Sequence, residues 1–407
     1  LWRISQEPFM ANAKWIDNLV VRASYGLQGN IDKNTSPYLL GNYRIENILP
    51  GGSEDMIDVS GAPNKKLRWE KTHSVNAGFD FAVLNQAINL SVDYYYRKGV
   101  DLIGTQMLPL ETGFEMLTVN WASMQNQGVE VALSTRNIHT KNFMWTTNFN
   151  FAYNNNKILK EALREDALEP GREGYPVGAL FALKTAGLDE EGYPMFEGKD
   201  GKAVSAMEFF KLQEWGFGAT DLTARERREL YTYVGTADCP YTGGFNNTFT
   251  YTAFELGVNF SFDFGGKVRS QPTYSIVDFD KGRNTNRDIL NRWTPENTET
   301  IFPVLLSQNE RLDEYMWYSN QNEIYRNLDI WIRDLNYVRL QNIRLGYTLP
   351  TNFSRKLGMT SATIAIEGRN LLVFGSSYKN YLDPETMSNA YATPAPKSVT
   401  LSLNLNV

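Results

Sequence analysis

Apolar and polar residues alternate strictly over long stretches of this chain, and no other feature restricts its fold so tightly. Phe254, Leu256, Val258, Phe260, Phe262 and Phe264 stand against Glu255, Gly257, Asn259, Ser261 and Asp263. Trp145, Thr147, Phe149, Phe151 and Tyr153 alternate in the same way with Thr146, Asn148, Asn150 and Ala152. Val75, Ala77, Phe79, Phe81 and Val83 repeat the pattern, as do Val399, Leu401, Leu403, Leu405 and Val407. A period of two puts each set on one face of a β-strand. About ten such segments are legible, at roughly 18–30, 67–84, 87–103, 124–138, 142–155, 243–251, 254–264, 333–348, 361–374 and 397–407.

The connections between these segments alternate short and long. The short ones lie near Asn85-Gln86, Ile138 to Lys141, Tyr251 to Ala253 and Pro350 to Thr360; the long ones span 31–66, 104–123, 156–242, 265–332 and 375–396. In an up-and-down sheet every second connection falls on the same edge, so all the short turns share one rim and all the long loops the other. A soluble sandwich has no reason to sort its loops this way, whereas an outer-membrane barrel does so routinely. Segments of ten or more residues exceed the usual globular strand and suit a tilted membrane crossing. The expected fold is therefore all-β, a transmembrane antiparallel β-barrel.

Composition agrees. No run of about 18 apolar residues offers a transmembrane helix. Hydrophobic residues nevertheless make up 42% of the 407, enough for a packed fold. Aromatics reach 13% and gather toward segment ends (Tyr94, Tyr95, Tyr96; Phe143, Trp145; Tyr347), as interface girdles do. Lys and Arg number 40 against 46 Asp and Glu, a net charge of 40 − 46 = −6, which argues against nucleic-acid binding. Cys239 is the single cysteine, so an internal disulfide and a cysteine-based zinc site are excluded. The opening at Leu1-Trp2-Arg3, without Met or leader, reads as a piece of something longer. The last segment ends at Val407, where barrels of this kind commonly finish on an aromatic.

The connection 156–242 reads as a folded external loop rather than a second domain. Helices are expected over Lys157–Leu168, Ala206–Leu212 and Thr223–Leu230, with turns at Glu190 to Tyr193 and Lys199 to Gly201. The second large loop is 265–332.

Several stretches, taken in order, resemble one family. They include Lys14-Trp15-Ile16-Asp17-Asn18-Leu19, Leu67-Arg68-Trp69-Glu70-Lys71-Thr72, Asn126-Gln127-Gly128-Val129-Glu130 and Tyr175-Pro176-Val177-Gly178. Thr242 to Phe249, Phe264-Gly265-Gly266-Lys267-Val268, Arg292-Trp293-Thr294, Tyr337 to Asn342, Glu367 to Leu371 and Asp383-Pro384-Glu385 continue the series. The chain resembles the C-terminal half of a SusC-like (SusC/RagA) TonB-dependent transporter of the Bacteroidetes outer membrane. The resemblance implies a barrel of about 22 strands, of which 1–407 supplies roughly the last ten. It also implies an N-terminal plug domain with a TonB box, neither of which lies in this chain, and a SusD-like surface lipoprotein as a lid on the long loops. A dimer of such pairs, with an oligosaccharide or peptide as substrate, completes what the resemblance implies.

The residues carry no catalytic constellation. His73 and His139 sit at opposite strand ends and do not share a site easily, so neither a Ser–His nor an Asp–His hydrolase is expected. The acidic groups Glu54-Asp55 with Asp58, Asp189-Glu190-Glu191, and Asp278 with Asp280 read as solvated loop faces. A loop-bound calcium is the alternative there, without the EF-hand spacing. The Gly-Gly pairs lack a phosphate-loop context, so no cofactor motif is present. Binding remains. The loop aromatics Trp215, Trp293, Tyr315, Trp317, Tyr318 and Tyr378 are candidates for contact with substrate or lid, against packing among the loops. Asn76, Asp80, Asn89, Asp93, Asn148, Asn150, Asn259 and Asp263 have the parity of lumen-facing side chains. Two functional readings follow: an outer-membrane importer, and a soluble or secreted β-rich glycan-binding module whose apolar faces pack on each other.

Overall fold

The computed structural model describes residues 1–406 except 34, 50–51, 60, 115, 164, 199, 214–219, 271–281, 285–286, 306–324, 357, 376–382 and 387–391. Its strands are β1 (Trp2–Arg3), β2 (Ile16–Asn30), β3 (Gly41–Leu49), β4 (Gly52–Val59), β5 (Glu70–Val83), β6 (Ile88–Met107), β7 (Met116–His139), β8 (Phe143–Lys160) and β9 (Ala179–Leu183). They continue as β10 (Thr185–Leu188), β11 (Pro194–Glu197), β12 (Ala203–Val204), β13 (Tyr231–Thr236), β14 (Tyr241–Tyr251), β15 (Phe254–Arg269), β16 (Ile332–Thr348), β17 (Ser361–Phe374) and β18 (Ser398–Asn406).

One 11-stranded antiparallel sheet, ordered β1-β2-β5-β6-β7-β8-β14-β15-β16-β17-β18, organises the chain. Each of the ten alternating segments is a strand of it. The sheet is mixed in length, β7 being the longest at 24 residues. Because side chains alternate with period two, an unbroken register carries each face across neighbouring strands. One row on the apolar face runs Leu19, Phe81, Leu90, Leu133, Phe149, Phe245, Phe260 through seven strands. The adjacent row on the other face runs Val20, Asp80, Ser91, Ala132, Asn150, Gly244, Ser261. Ring pairs such as Phe245–Phe260, with centroids 4.7 Å apart, knit the apolar face laterally. Nothing among the described residues covers its far end, where Leu401 is 75% exposed.

Short turns and long connections sort to opposite edges. Three consecutive left-handed residues, Leu84, Asn85 and Gln86, close the β5–β6 turn, and Asp17 Oδ2 accepts the Gln86 backbone N–H at 2.8 Å. Among the described residues no helix is long and apolar enough to cross a membrane.

The connections depart from expectation in three places. The helix expected over Lys157–Leu168 does not form: β8 continues to Lys160, and the described residues after it are irregular. The Ile158 N–H donates to Tyr175 O at 2.8 Å and its carbonyl accepts from Gly174 at 2.9 Å. These pairings hold extended a stretch whose Leu, Lys, Glu and Ala content favours helix, so tertiary context overrides propensity. Segment 31–66 contains the hairpin β3–β4, with Tyr43 opposite Ile57. The connection 104–123 shrinks to 108–115 because β6 and β7 run past their alternating cores, with a register shift at Gly99/Leu102.

The connection 156–242 holds a three-stranded sheet (β10-β11-β12), the pair β9–β13 and two short helices, Ala206–Phe209 and Ala224–Glu229. Both helices fall inside their expected ranges and are N-capped, by Ser205 and Thr223. Their layer has its own apolar core: Leu183, Phe196 and Phe210 meet Leu328 and Trp331, which arrive from the next long connection. The two large connections therefore share one core at the same edge of the sheet.

Candidate functional site

The polar face of the sheet is the work surface that the register sets apart in this chain. The register places all eight parity-selected polar residues on it: Asn76 opposite Tyr95, Asp80 opposite Ser91, and Asn89 opposite Ala82. Asp93 lies opposite Glu130, Asn148 and Asn150 opposite Ser134 and Ala132, and Asn259 and Asp263 opposite Asn246 and Thr242. Asp80, Asn89, Asn148 and Asn150 line a groove of about 380 Å³. Asp93, Asn150 and Asp263 line its neighbour of about 400 Å³. Such a surface offers amide and carboxylate groups to water or to a polar solute.

Two arginines organise this face. Arg22 on β2 reaches across two strands to Asp80 at 3.0 Å and Asp93 at 2.9 Å, and Ser91 Oγ donates to Asp80 at 2.8 Å. Gly78, between them, has no room for a side chain: a Cβ there would lie 2.2 Å from Asp93 Oδ1. The trio stays part-exposed, the arginine side chain keeping 38% of its accessibility.

The second arginine, Arg339 on β16, is buried. Its guanidinium is hydrogen-bonded to Asp383, and its Nε donates to Glu385 Oε1 at 2.8 Å. The Tyr337 hydroxyl donates to Asp263 Oδ2 at 2.5 Å and to Glu385 at 3.3 Å. Gln341 donates to Ser261 Oγ at 2.7 Å. Asp383 also accepts the backbone N–H groups of Glu385 at 3.0 Å and Ala395 at 3.3 Å. Burial alone would raise the Asp383 carboxyl, but the Arg339 guanidinium and those two backbone donors hold it below the usual carboxylate range. The segment around Asp383-Pro384-Glu385, from the β17–β18 connection, is thus pinned against the wall on the polar face. Arg339 and Gln341, two residues apart on β16, share the polar face, and the register with β17 shifts by one residue between Leu340 and Asn342.

Sequence reasoning missed Arg22, Arg339, Asp383 and Glu385 as a group. The available signal was an arginine at polar-face parity within an otherwise apolar run, as in Val20-Val21-Arg22-Ala23 and Val338-Arg339-Leu340.

Of the loop aromatics, Trp293 alone is described. It is half-buried, and its indole lies on Gly192, where a Cβ would approach it to 2.5 Å. Trp215, Tyr315, Trp317, Tyr318 and Tyr378 lie outside the described residues, as do Asp278 and Asp280. Asp189 shapes the turn below Trp293, accepting the Glu191 and Tyr193 N–H groups at 2.9 and 2.8 Å. Asp58 pairs loosely with Arg44 in the β3–β4 hairpin, 3.8 Å apart. Among the described residues no group of three or more His, Cys, Asp or Glu side chains is placed to hold a metal ion. His73 bonds Tyr25 at 2.9 Å on the apolar face, far along the sheet from His139.

Comparison with known proteins places this architecture. Residues 9–180 match the TonB dependent receptor-like β-barrel family. A TonB-dependent receptor of Formosa agariphila, P3, is 28% identical over 393 residues, 92% of this chain and 36% of the relative. Over residues 9–180 the chain is thus similar to a TonB-dependent receptor β-barrel domain. SusC of Bacteroides thetaiotaomicron, also a TonB-dependent receptor, is 25% identical over 435 residues, 100% of this chain and 39% of SusC. In fold, the barrel domain superposes on a chain of the RagAB peptide transporter with a TM-score of 0.75, covering 99% of this chain and 42% of that one at 23% identity. The chain thus spans about two fifths of the length of the relatives it matches. The family is one of receptors and transporters, not of enzymes.

Proposed function

We propose that this chain forms wall and external loops of a TonB-dependent importer in the outer membrane of a Gram-negative bacterium, taking up an oligomeric nutrient, glycan or peptide. One observation carries the reading: seven strands share an unbroken apolar row on one face, while the other face holds Asp80, Ser91, Asn150 and Ser261 and the Arg22 ion pairs. A sheet with lipid on one side and a wet lumen on the other needs that division. The soluble-module reading requires apolar faces packed on each other, whereas the eleven strands here form a single sheet.

In this reading the folded connections face outward, where a SusD-like lipoprotein closes over the substrate, and such pairs associate as dimers. TonB acts through a plug in the remainder of the protein, which sits against the polar face. Asn76, Asp80, Asn89, Asp93, Asn148, Asn150, Asn259 and Asp263 then meet plug, water or passing solute. The loop aromatics contact lid or substrate, with Trp293 assigned to packing among the loops. Similarity to SusC and to the RagAB peptide transporter supports the class and leaves both substrate types open.

Epitope insertion in the full-length protein tests it. A tag after Gly201 should bind antibody on intact cells, and a tag after Gln86 only after permeabilisation, with the protein in the outer-membrane fraction. Recovery in the soluble fraction, or equal access to both tags, overturns the assignment.

A further inference from the structure

The apolar face changes character toward the edge that carries the long connections. Above the hydrophobic rows the register aligns Tyr94, Val129, Tyr153 and Tyr241, and then Tyr25, Val75, Tyr96, Gln127 and Asn155. The next row runs Leu27, His73, Lys98, Gln125, Lys157. Above it stand Lys71 on β5 and Lys160 opposite Ser123 on β8. Four lysines and a histidine thus sit on one face of β5–β8 just beyond a tyrosine belt.

Their partners leave positive charge to spare. Lys71 shares Asp101 with Arg68, at 3.4 Å. Lys160 Nζ lies 3.4 Å from the Trp121 ring centroid. Lys98, Lys157 and Lys160 pair with no carboxylate among the described residues. At the same edge of β15, by contrast, Lys267 is paired with Asp334. Three lysines without a carboxylate among the described residues thus stand together on β6 and β8.

We propose that this band binds the phosphorylated headgroups of the lipid leaflet on the long-connection side, lipopolysaccharide in an outer membrane. The inference rests on the membrane reading above. Lysine stems lie along apolar surface while their ammonium groups reach the polar boundary, and tyrosine and tryptophan prefer the same depth. Charge complementarity selects the occupant: unpaired ammonium groups at headgroup height attract anionic phosphates. Strands β5–β8 would then keep a fixed annulus of phosphorylated lipid.

The test uses the full-length protein purified from outer membranes, with Lys98→Gln, Lys157→Gln and Lys160→Gln combined. Heat-dependent gel mobility checks that the variant folds. Retention is measured in phosphatidylcholine vesicles containing lipid A, dephosphorylated lipid A or neither, with inorganic phosphate as competitor. Native protein should retain lipid A in preference to its dephosphorylated form, and the triple variant should retain about tenfold less or lower still. Equal retention by variant and native protein, no preference for the phosphorylated form, or full displacement by free phosphate overturns the proposal. A protein that stays soluble and lacks heat-dependent mobility defeats the membrane reading itself, a distinguishable result.

Discussion

Two arginines on the same face of one sheet each bridge two carboxylates, yet they do different work. Arg22 ties β2 to β5 and β6, partners that backbone hydrogen bonds already hold together, and its side chain stays 38% accessible. Arg339 ties the wall to a connection that has no strand pairing there, and its side chain is 2% accessible. Water screens the first cluster, so its attraction adds little to a ladder formed without it. The second is out of water, where an unpaired charge is costly and a paired one is bound to its partner. The exposed ion pair decorates the barrel wall; the buried one decides where a loop goes.

The comparison is most severely tested at Arg339. Arg339→Ala should cost about 3–5 kcal/mol, because Asp383 is left charged and unpaired. The midpoint of the heat-dependent mobility shift reports it, and proteolysis should open the β17–β18 connection. Replacing both partners, Arg339→Leu with Asp383→Leu, should recover most of the loss. Equal damage from single and double variants would show that packing, not charge, holds the loop. The pH dependence has a definite sign: Asp383 lies below its unfolded value, so its contribution is complete above about pH 4 and is lost as pH falls through the lowered native value.

Next in size is the contrast between faces. Phe260→Arg, on the apolar face and stacked on Phe245, should cost about 2–4 kcal/mol in lipid, while Asn259→Arg, one residue away on the polar face, should leave the mobility midpoint nearly unchanged. Similar midpoints for the two would remove the lipid from that face. Smaller still, Arg22→Ala should cost no more than about 1 kcal/mol; a loss matching that of Arg339→Ala would end the distinction drawn above.

The smallest effect lies in the loop layer. Thr223 and Lys211 hold the Glu226 carboxyl down to about 2, and Glu226 accepts the Thr223 N–H at 2.9 Å in a capping box. Its lowered value means that the cap is complete above about pH 4.3 and fades toward pH 2. Amide protection factors over Ala224–Glu229 should fall in that window and nowhere else, and Glu226→Ala should remove the pH dependence without changing the barrel.

Much of the wall was legible because alternation is a local property: Phe254 to Phe264 announce a strand and its two faces whatever their neighbours. The hairpin β3–β4 was less so, since Tyr43, Ile45 and Ile57 sit among charged residues and pair away from the main sheet. Lys157–Leu168 misled, because helical propensity there yields to the ladder extending from β8 and to the Tyr175 backbone. The shared core of Phe196, Phe210, Leu328 and Trp331 joins residues more than a hundred positions apart, beyond the reach of any window.

By itself, then, the sequence determined strand positions, face assignment and the sorting of short and long connections, all consequences of backbone stereochemistry and side-chain polarity at neighbouring positions. The tertiary structure alone decided which charges meet. Arg339 and Asp383 lie 44 residues apart, and only the path of the β17–β18 connection back onto the polar face closes that distance and excludes water from the pair.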